Sequence, residues 1–350
     1  MTLHGKDIDL RSDTVTLPTD EMRQAMLNAV LGDDVFGEDP TVNKIQKYAA
    51  EITGKEAGLL VASGTMANLV CMLAHCARGE EAILGDKAHI FLNEAGGMSA
   101  LGSVIPHLIP NQNDGTLDLN DIEEAIRGEN PHWPRTRLIC LENTHNRCYG
   151  APLTPAYTDS VGALARKHGL AVHLDGARIF NAAVALNKKI SEFTRSVDSI
   201  AFCLSKGLAA PVGSIVCGTR EFIDRVHRCR KLVGGGMRQA GIIAAPGLIA
   251  LDRMIERLQE DHDNARQLAQ GISKIPGLAI DAARVQTNIL YFDLIDERIK
   301  PDSLVKSMDE KGIRFLRTDR VQFRMVTHYG IRPEHIKITL KELATLMKDL

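Results

Sequence analysis

Aromatic side chains are scarce in this chain. They make up 4% of it, with Trp133 the single tryptophan, too few for a surface that stacks several nucleic-acid bases. No charge of one sign prevails either: the formal net charge is −2 over 350 residues, so no electrostatic footprint points to nucleic acid or to an anionic membrane. Long apolar runs are missing. The uncharged apolar stretch around Ala240–Leu251 falls well short of the ~20 residues that a membrane span needs. The opening Met-Thr-Leu-His-Gly-Lys-Asp-Ile-Asp-Leu lacks the apolar core of a secretory leader. Cys71, Cys76, Cys140, Cys148, Cys203, Cys217 and Cys229 are scattered without CxxC spacing. That argues against a zinc ribbon or a disulfide framework, and predicts reduced, largely buried thiols in a cytoplasmic protein. No metal site is expected.

What is present is an alternation of apolar strands and helices. Strand patterns occupy 57–62, 81–85, 103–109, 137–141, 171–174 and 199–204, with helical segments between them, including a short one at 94–101. This rhythm predicts an α/β fold with a mostly parallel sheet covered on both faces. A further strand at 213–218 is expected to run antiparallel at a sheet edge. The loop 32–40 is rich in turn residues, and Thr41 is expected to cap the helix after it. Beyond Gly247 the pattern changes to a long charged helix over about 249–274, then short strands near 287–293, 313–315 and 323–326 with helices near 301–311 and 333–348. The organisation expected is an arm (1–16), a large domain (17–246) and a smaller α+β domain (247–350).

Two residues carry the chemistry. Lys206 follows the apolar run Ser199–Leu204, and Asp175 ends the apolar run Ala-Val-His-Leu-Asp. Open α/β sheets bind ligands at the carboxyl ends of their strands, so an amine and a carboxylate delivered there face one ligand. Pyridoxal phosphate needs that pair: a lysine for its aldehyde and an acid beside its pyridine nitrogen. An aspartate before Gly-Ala-Arg also reads as the start of a turn, but an ionised carboxylate there favours a protonated ring. Ser63-Gly64-Thr65 stands between a strand and a helix N-terminus, a favourable place for a phosphate, although by itself it reads as a simple cap. Ser205 adds a hydroxyl. Arg178 can pair with Asp175 or hold a substrate carboxylate bidentately. His89 lies a few residues past the strand 81–85, where an imidazole can stack on a cofactor ring.

Together with these, Asp9–Thr16, Gly32–Thr41, Leu141–Asn146, His173–Asn181, Ser205–Ser214 and Gly234–Gly241 closely resemble the low-specificity L-threonine aldolases, fold-type I enzymes of the aspartate aminotransferase superfamily. The resemblance runs from about residue 8 to the C-terminus and thins beyond 246. It implies the pyridoxal-phosphate-dependent transferase fold, with a seven-stranded, mostly parallel sheet in the large domain. It implies Lys206 as the Schiff-base lysine, Asp175 as partner of the pyridine nitrogen, His89 as the stacking ring and Ser63, Gly64 and Thr65 as the phosphate turn. Ser12, Arg178 and Arg324 would hold the substrate α-carboxylate. Arg238, with Lys231 assisting, would reach the phosphate from a neighbouring subunit, and His132 would stand near the substrate hydroxyl. The segment Asn146–Gly150 departs from some relatives.

The reaction so implied is reversible cleavage of a β-hydroxy-α-amino acid, such as L-threonine or L-allo-threonine, to glycine and an aldehyde. His89, His132, Glu94 or a water held by them would take the hydroxyl proton. A homo-oligomer, a dimer of dimers with shared sites, is expected. Another fold-type I activity, β-elimination or transamination, and a non-catalytic cofactor-binding protein are the rival readings. Release of acetaldehyde from threonine separates them.

Overall fold

The computed structural model of the protein describes residues 7–349; the first six residues of the expected arm and residue 350 lie outside the described residues. A short strand β1 (Ile8–Asp9) comes first. Strands β2 (Ala57–Val61), β3 (Glu81–Gly85), β4 (Ile105–Ile109), β5 (Thr136–Glu142), β6 (Ala171–Asp175), β7 (Ser199–Cys203) and β8 (Ser214–Gly218) form a seven-stranded sheet in the order β2-β8-β7-β6-β5-β3-β4. Six of them share one direction and only β8 opposes them. The expected fold class is thus what the chain adopts. β3, β7 and β8 are buried along their whole length, as strands covered on both faces are, and so read as unbroken runs rather than alternations. Pro106 sits on β4, an edge strand, where its missing N–H leaves no ladder bond unmade.

The antiparallel strand is not at the edge, as expected from the sequence, but one place in, with β2 outside it. The segment 204–213 after β7 reverses the chain and returns it as β8. That β2, from the far end of the domain, docks on the other side of β8 is a long-range fact with no local mark.

Helix boundaries differ where short-range chemistry competes. Asp39, not Thr41, caps the helix Pro40–Thr53, accepting from the Thr41 and Val42 amides at 3.0 Å each. Pro40 takes the first helical position, where an amide is not needed, and the Thr41 hydroxyl donates to the Val30 carbonyl at 2.7 Å. Of the helix expected at 94–101 only a single turn forms, Gly97–Ala100, because Ala95 and Gly96 take φ of 53° and 66°; another single turn, His89–Leu92, stands ahead of it. The long helix expected at 249–274 is also two, Gly241–Arg253 and Leu258–Ile272. The first buries Ala244, Ala250 and Leu251 in the core of the large sheet; the second buries Leu268, Ala269 and Ile272 in a separate core. A break between them lets the chain change cores without interrupting its helical pattern. The proposed boundary at 246/247 falls inside the first of these helices. Ile179–Leu186, apolar except for Asn181, and Ile190–Thr194 and Arg220–Leu232 are helices without a counterpart in the sequence reading.

The second core surrounds a smaller antiparallel sheet made of β9 (Leu278–Ala279), β10 (Ile289–Leu294), β12 (Leu316–Arg317) and β13 (Gln322–Val326), while β11 (Ile313–Arg314) pairs in parallel with β1. This pairing anchors the arm. Ile8 and Leu10 are buried in the same cluster as Phe292, Phe315 and Phe323, whose ring centres stand 5.2–5.8 Å apart. The residues that follow, Ser12 and Asp13, are thereby delivered between the two sheets.

Candidate active site

With β2, β3, β5, β6 and β7 pointing one way, the loops after them share the carboxyl edge of the sheet. β7 hands the chain to Lys206, which lines a cleft of about 370 Å³ together with Ser12, His89, Arg178, Tyr291 and Arg324. Lys206 is half-buried. Its carbonyl accepts the Thr16 hydroxyl at 3.0 Å, so the arm that follows β1 also fixes the lysine loop.

Asp175, at the end of β6, is buried. Its Oδ1 accepts the Ala177 amide at 3.1 Å and its Oδ2 accepts Asn68 Nδ2 at 3.0 Å. The same Asn68 nitrogen donates to Glu94 Oε1 at 2.8 Å, and Glu94 Oε1 lies 2.8 Å from His89 Nδ1. Burial opposes a charge on His89, yet Glu94, Asp175 and Glu142 outweigh it and raise the pKa of the ring. Burial, reinforced by Asp175, raises that of Glu94 against the hydrogen bonds from His89 and Asn68. The two form one coupled acid–base pair at the cleft wall. Glu142, ending β5, accepts the His89 amide at 2.7 Å and the Asn146 amide at 2.8 Å, and so holds both neighbouring loops.

Arg178 does not pair with Asp175. Its Nε and Nη2 donate to the two carboxylate oxygens of Asp13 at 2.7 Å each, both residues being buried. Burial alone would raise the Asp13 pKa, but Arg178 and then Lys206 hold it well below the usual carboxylate range. Arg324, on β13, donates to Asn146 Oδ1 at 2.9 Å and to the Arg11 carbonyl at 3.0 Å, while its Nε is buried without a partner among the described residues. The Tyr291 hydroxyl donates to the Asn146 carbonyl at 3.0 Å. Two guanidinium groups and a serine hydroxyl thus face the lysine across the cleft.

Ser63 caps the helix Gly64–His75 through its hydroxyl, which accepts the Met66 amide at 3.2 Å. The amides of Gly64 and Thr65, first in the helix, have no carbonyl a turn earlier to donate to. A Cβ at position 64 would meet Cys203 Sγ at 2.8 Å, so glycine is what allows this turn to lie against the end of β7. These three residues do not line the cleft itself; the same helix supplies Asn68 to Asp175. Ser205 is half-buried beside Lys206 and is likewise outside the cleft lining.

The structure does not bring the remaining predicted residues together with these. His132 lies on an exposed loop ahead of β5, at the amino edge of the sheet, its amide donating to Asn130 Oδ1 at 2.9 Å. A loop that precedes a strand cannot face what gathers at that strand's far end, so within one chain His132 is no candidate base. Lys231 is exposed, and Arg238 forms a surface ion pair with Asp33 at 3.0 Å. The residues that sequence reasoning missed are Asp13, Asn68, Glu142, Asn146 and Tyr291. Asp13, Glu142 and Asn146 stand inside the quoted motifs, which was their only mark. Asn68 sits mid-helix, where nothing in a sequence distinguishes it.

Three comparisons bear on the arrangement. The sequence profile of the β-eliminating lyase family matches residues 9–295. The chain is 45% identical over 339 residues to low-specificity L-threonine aldolase 1 of Arabidopsis thaliana, covering 96% of this chain and 95% of that one. It is 46% identical over 329 residues to the low specificity L-threonine aldolase of Escherichia coli K12, covering 94% and 96%. Among solved structures, threonine aldolase of Leishmania major superposes with a TM-score of 0.82 at 18% identity, over 97% of this chain and 99% of that one. A serine palmitoyltransferase of Sphingomonas wittichii superposes at 0.75 with 18% identity, over 98% and 88%. These superpositions concern the fold.

Proposed function

The chain belongs to the low-specificity L-threonine aldolases of the β-eliminating lyase family, and from that membership we propose that its cleft cleaves L-threonine, L-allo-threonine and related β-hydroxy-α-amino acids to glycine and an aldehyde. The observation that carries the reading is Lys206 opening into a cleft opposite two arginines, with a buried carboxylate at the next strand end.

Pyridoxal phosphate fits the residues present. The Lys206 amine is open to the cleft, Asp175 is fixed by two donors, and the helix start at Gly64 offers free amides beside the exposed hydroxyls of Ser63 and Thr65. When bound, the cofactor supplies an aldehyde for the substrate amine and a heterocycle that takes up the electrons released as the Cα–Cβ bond opens. Lys206 would hold the aldehyde carbon, Asp175 would partner the ring nitrogen and favour its protonated form, Ser205 would add to the phosphate end, and His89 would cover the ring.

Arg324, which lines the cleft, and Arg178, through the edge that Asp13 leaves free, hold the substrate α-carboxylate, with Ser12 beside them. Holding that carboxylate fixes rotation about Cα and so determines which bond stands ready to break. His89 is the imidazole that lines the cleft among the described residues, and Glu94 behind it takes up or returns a proton through Nδ1. We therefore place the acceptance of the β-hydroxyl proton on the His89–Glu94 pair, directly or through one water.

Assembly as a homo-oligomer with shared sites is part of the proposal. Leu27, Val30 and Phe36 are exposed apolar residues close in sequence to Asp33, the ion-pair partner of Arg238. Large apolar side chains exposed in one stretch support a contact with a second copy, and that copy would supply Arg238 and Lys231 to the phosphate end. No helix among the described residues is long and apolar enough to cross a membrane; a cytoplasmic location remains part of the proposal.

The test is aldehyde release from L-threonine and L-allo-threonine, read through alcohol dehydrogenase and NADH, with Lys206→Ala beside the wild type. Turnover in the wild type and none in the variant is expected. Normal turnover by the variant, or none by cofactor-saturated wild type on either isomer, overturns the reading.

A further inference from the structure

Behind Asp175 a run of polar side chains crosses the interior, and the chemistry above uses only its last members. His75 Nε2 lies 2.7 Å from Ser199 Oγ, and Ser199 Oγ lies 2.8 Å from His173 Nδ1. His173 Nε2 lies 3.1 Å from Asn68 Oδ1, and Asn68 Nδ2 reaches Asp175 at 3.0 Å and Glu94 at 2.8 Å. The run joins the middle and the last residue of the helix Gly64–His75 to the start of β7 and the middle of β6. His173 and Ser199 are wholly buried, Asn68 and Asp175 nearly so.

The direction of every hydrogen bond in this run is fixed by elimination. Asn68 meets two carboxylates on one side, so its N–H groups point there and its carbonyl oxygen faces His173. An oxygen that only accepts requires a proton on His173 Nε2. His173 Nδ1 then carries a lone pair, which the Ser199 hydroxyl fills by donating. The Ser199 oxygen in turn accepts from His75 Nε2. Each donor aims toward Asp175 and none away from it. Both imidazoles must be neutral for this, and burial lowers His173 to about 4 and His75 to about 3. Of the groups packed around them, Asp175 on β6 opposes that shift at His173, while Arg225 on the helix Arg220–Leu232 adds to it at His75. Phe222 stacks on the outer ring, its centroid 4.3 Å from that of His75.

Such a run does two things to its terminus. It prevents the Asn68 amide from turning over, since a flipped amide would set an oxygen against two carboxylates and a donor against a donor. It also offers Asp175 only donors, which fixes where its oxygens point. We propose that His173, backed by Ser199 and His75, is a positioning residue for the cofactor: it locks Asn68, and through it holds Asp175 turned to the heterocyclic nitrogen. This rests on the reading that pyridoxal phosphate binds against Asp175.

The experiment compares wild type, His173→Phe, His173→Gln and Ser199→Ala in three measurements. These are the dissociation constant for pyridoxal phosphate, the pH dependence of the visible absorbance of the bound cofactor, and kcat and KM for L-threonine; thermal melting reports folding. His173→Phe breaks the run at its centre, so kcat and cofactor affinity each fall roughly ten- to a hundredfold, the effect that partners behind direct ligands commonly have. KM stays within about twofold, because the carboxylate-holding arginines are untouched. The apparent pKa of the absorbance moves by about one unit or more. His173→Gln keeps a donor toward Asn68 and restores most of the loss, and Ser199→Ala, a small deletion that keeps β7 intact, lies between them. Wild type that binds the cofactor while the variants match it in affinity, absorbance and kcat overturns the positioning role alone. So does a fall in kcat that follows melting temperature with an unmoved absorbance pKa. Wild type that binds no pyridoxal phosphate overturns the underlying reading instead.

Discussion

Arg178 and Asp13 show how one buried pair links fold and site. The two residues are 165 positions apart, and each has the other as its ionic partner. Removing one partner of such a pair leaves a charge stranded in a poorly solvated place, a loss of about 3–5 kcal/mol. Asp13→Asn is therefore expected to lower the urea midpoint markedly. It should also raise KM for threonine, because the guanidinium is no longer held against the cleft. Equilibrium unfolding and steady-state kinetics on one preparation check both. Arg324→Lys keeps the charge but loses the planar fork, so KM should rise roughly tenfold or more with kcat much less affected. At this scale the sequence showed the arginine of Gly-Ala-Arg and the lysine of Ser-Lys-Gly, because each follows an apolar strand. It left open whether Arg178 would meet Asp175, since which acid an arginine meets depends on distances through space. The structure gives it Asp13.

Asp39 has more duties than a helix cap. Besides the Thr41 and Val42 amides, its carboxylate accepts those of Gly32 at 3.2 Å and Gly241 at 2.9 Å, tying three segments at one fully buried point. Asp39→Ala should cost about 1–2 kcal/mol for the cap and a further ~1–3 for the amides left unpaired. Thr41→Ala, which removes only the hydroxyl bond to the Val30 carbonyl, should cost far less. Thermal melts of the two variants distinguish the structure's cap from the one that the sequence favoured. The preference for Thr41 was reasonable locally, as threonine before an apolar helical pattern is a good cap; Pro40 shifts the start back by fixing its own φ at a helical value. The split of 249–274 is the same lesson on a longer stretch. Its helical pattern is unbroken, and only the presence of two separate cores explains the interruption.

The molecule as a whole carries several histidines held neutral by burial. His173 and His262 are lowered to about 4 and His75 to about 3, from an ordinary 6.5. An imidazole whose folded pKa is depressed binds its proton more readily when unfolded. Its contribution is complete above pH 6.5 and is lost as pH falls from there toward about 4. At ~1.4 kcal/mol per unit, His173 alone amounts to roughly 3 kcal/mol. His89 acts oppositely, its raised pKa contributing at lower pH and fading as pH rises through it. Urea midpoints should therefore drop between about pH 7 and about pH 5, and His173→Gln should flatten that slope; an unchanged slope would show that His173 takes no part. Sequence alone determined the α/β order, the direction of nearly every strand and the placement of Lys206, Asp175 and His89 after strand ends, because strand periodicity and chain direction are local properties. Tertiary structure alone decided that β8 lies inside the sheet, that His132 lies at the wrong edge of it, and that Asn68, His173 and Ser199 stand in line behind Asp175. Those are contacts between distant segments, set by which surfaces bury one another, and no window of sequence contains them.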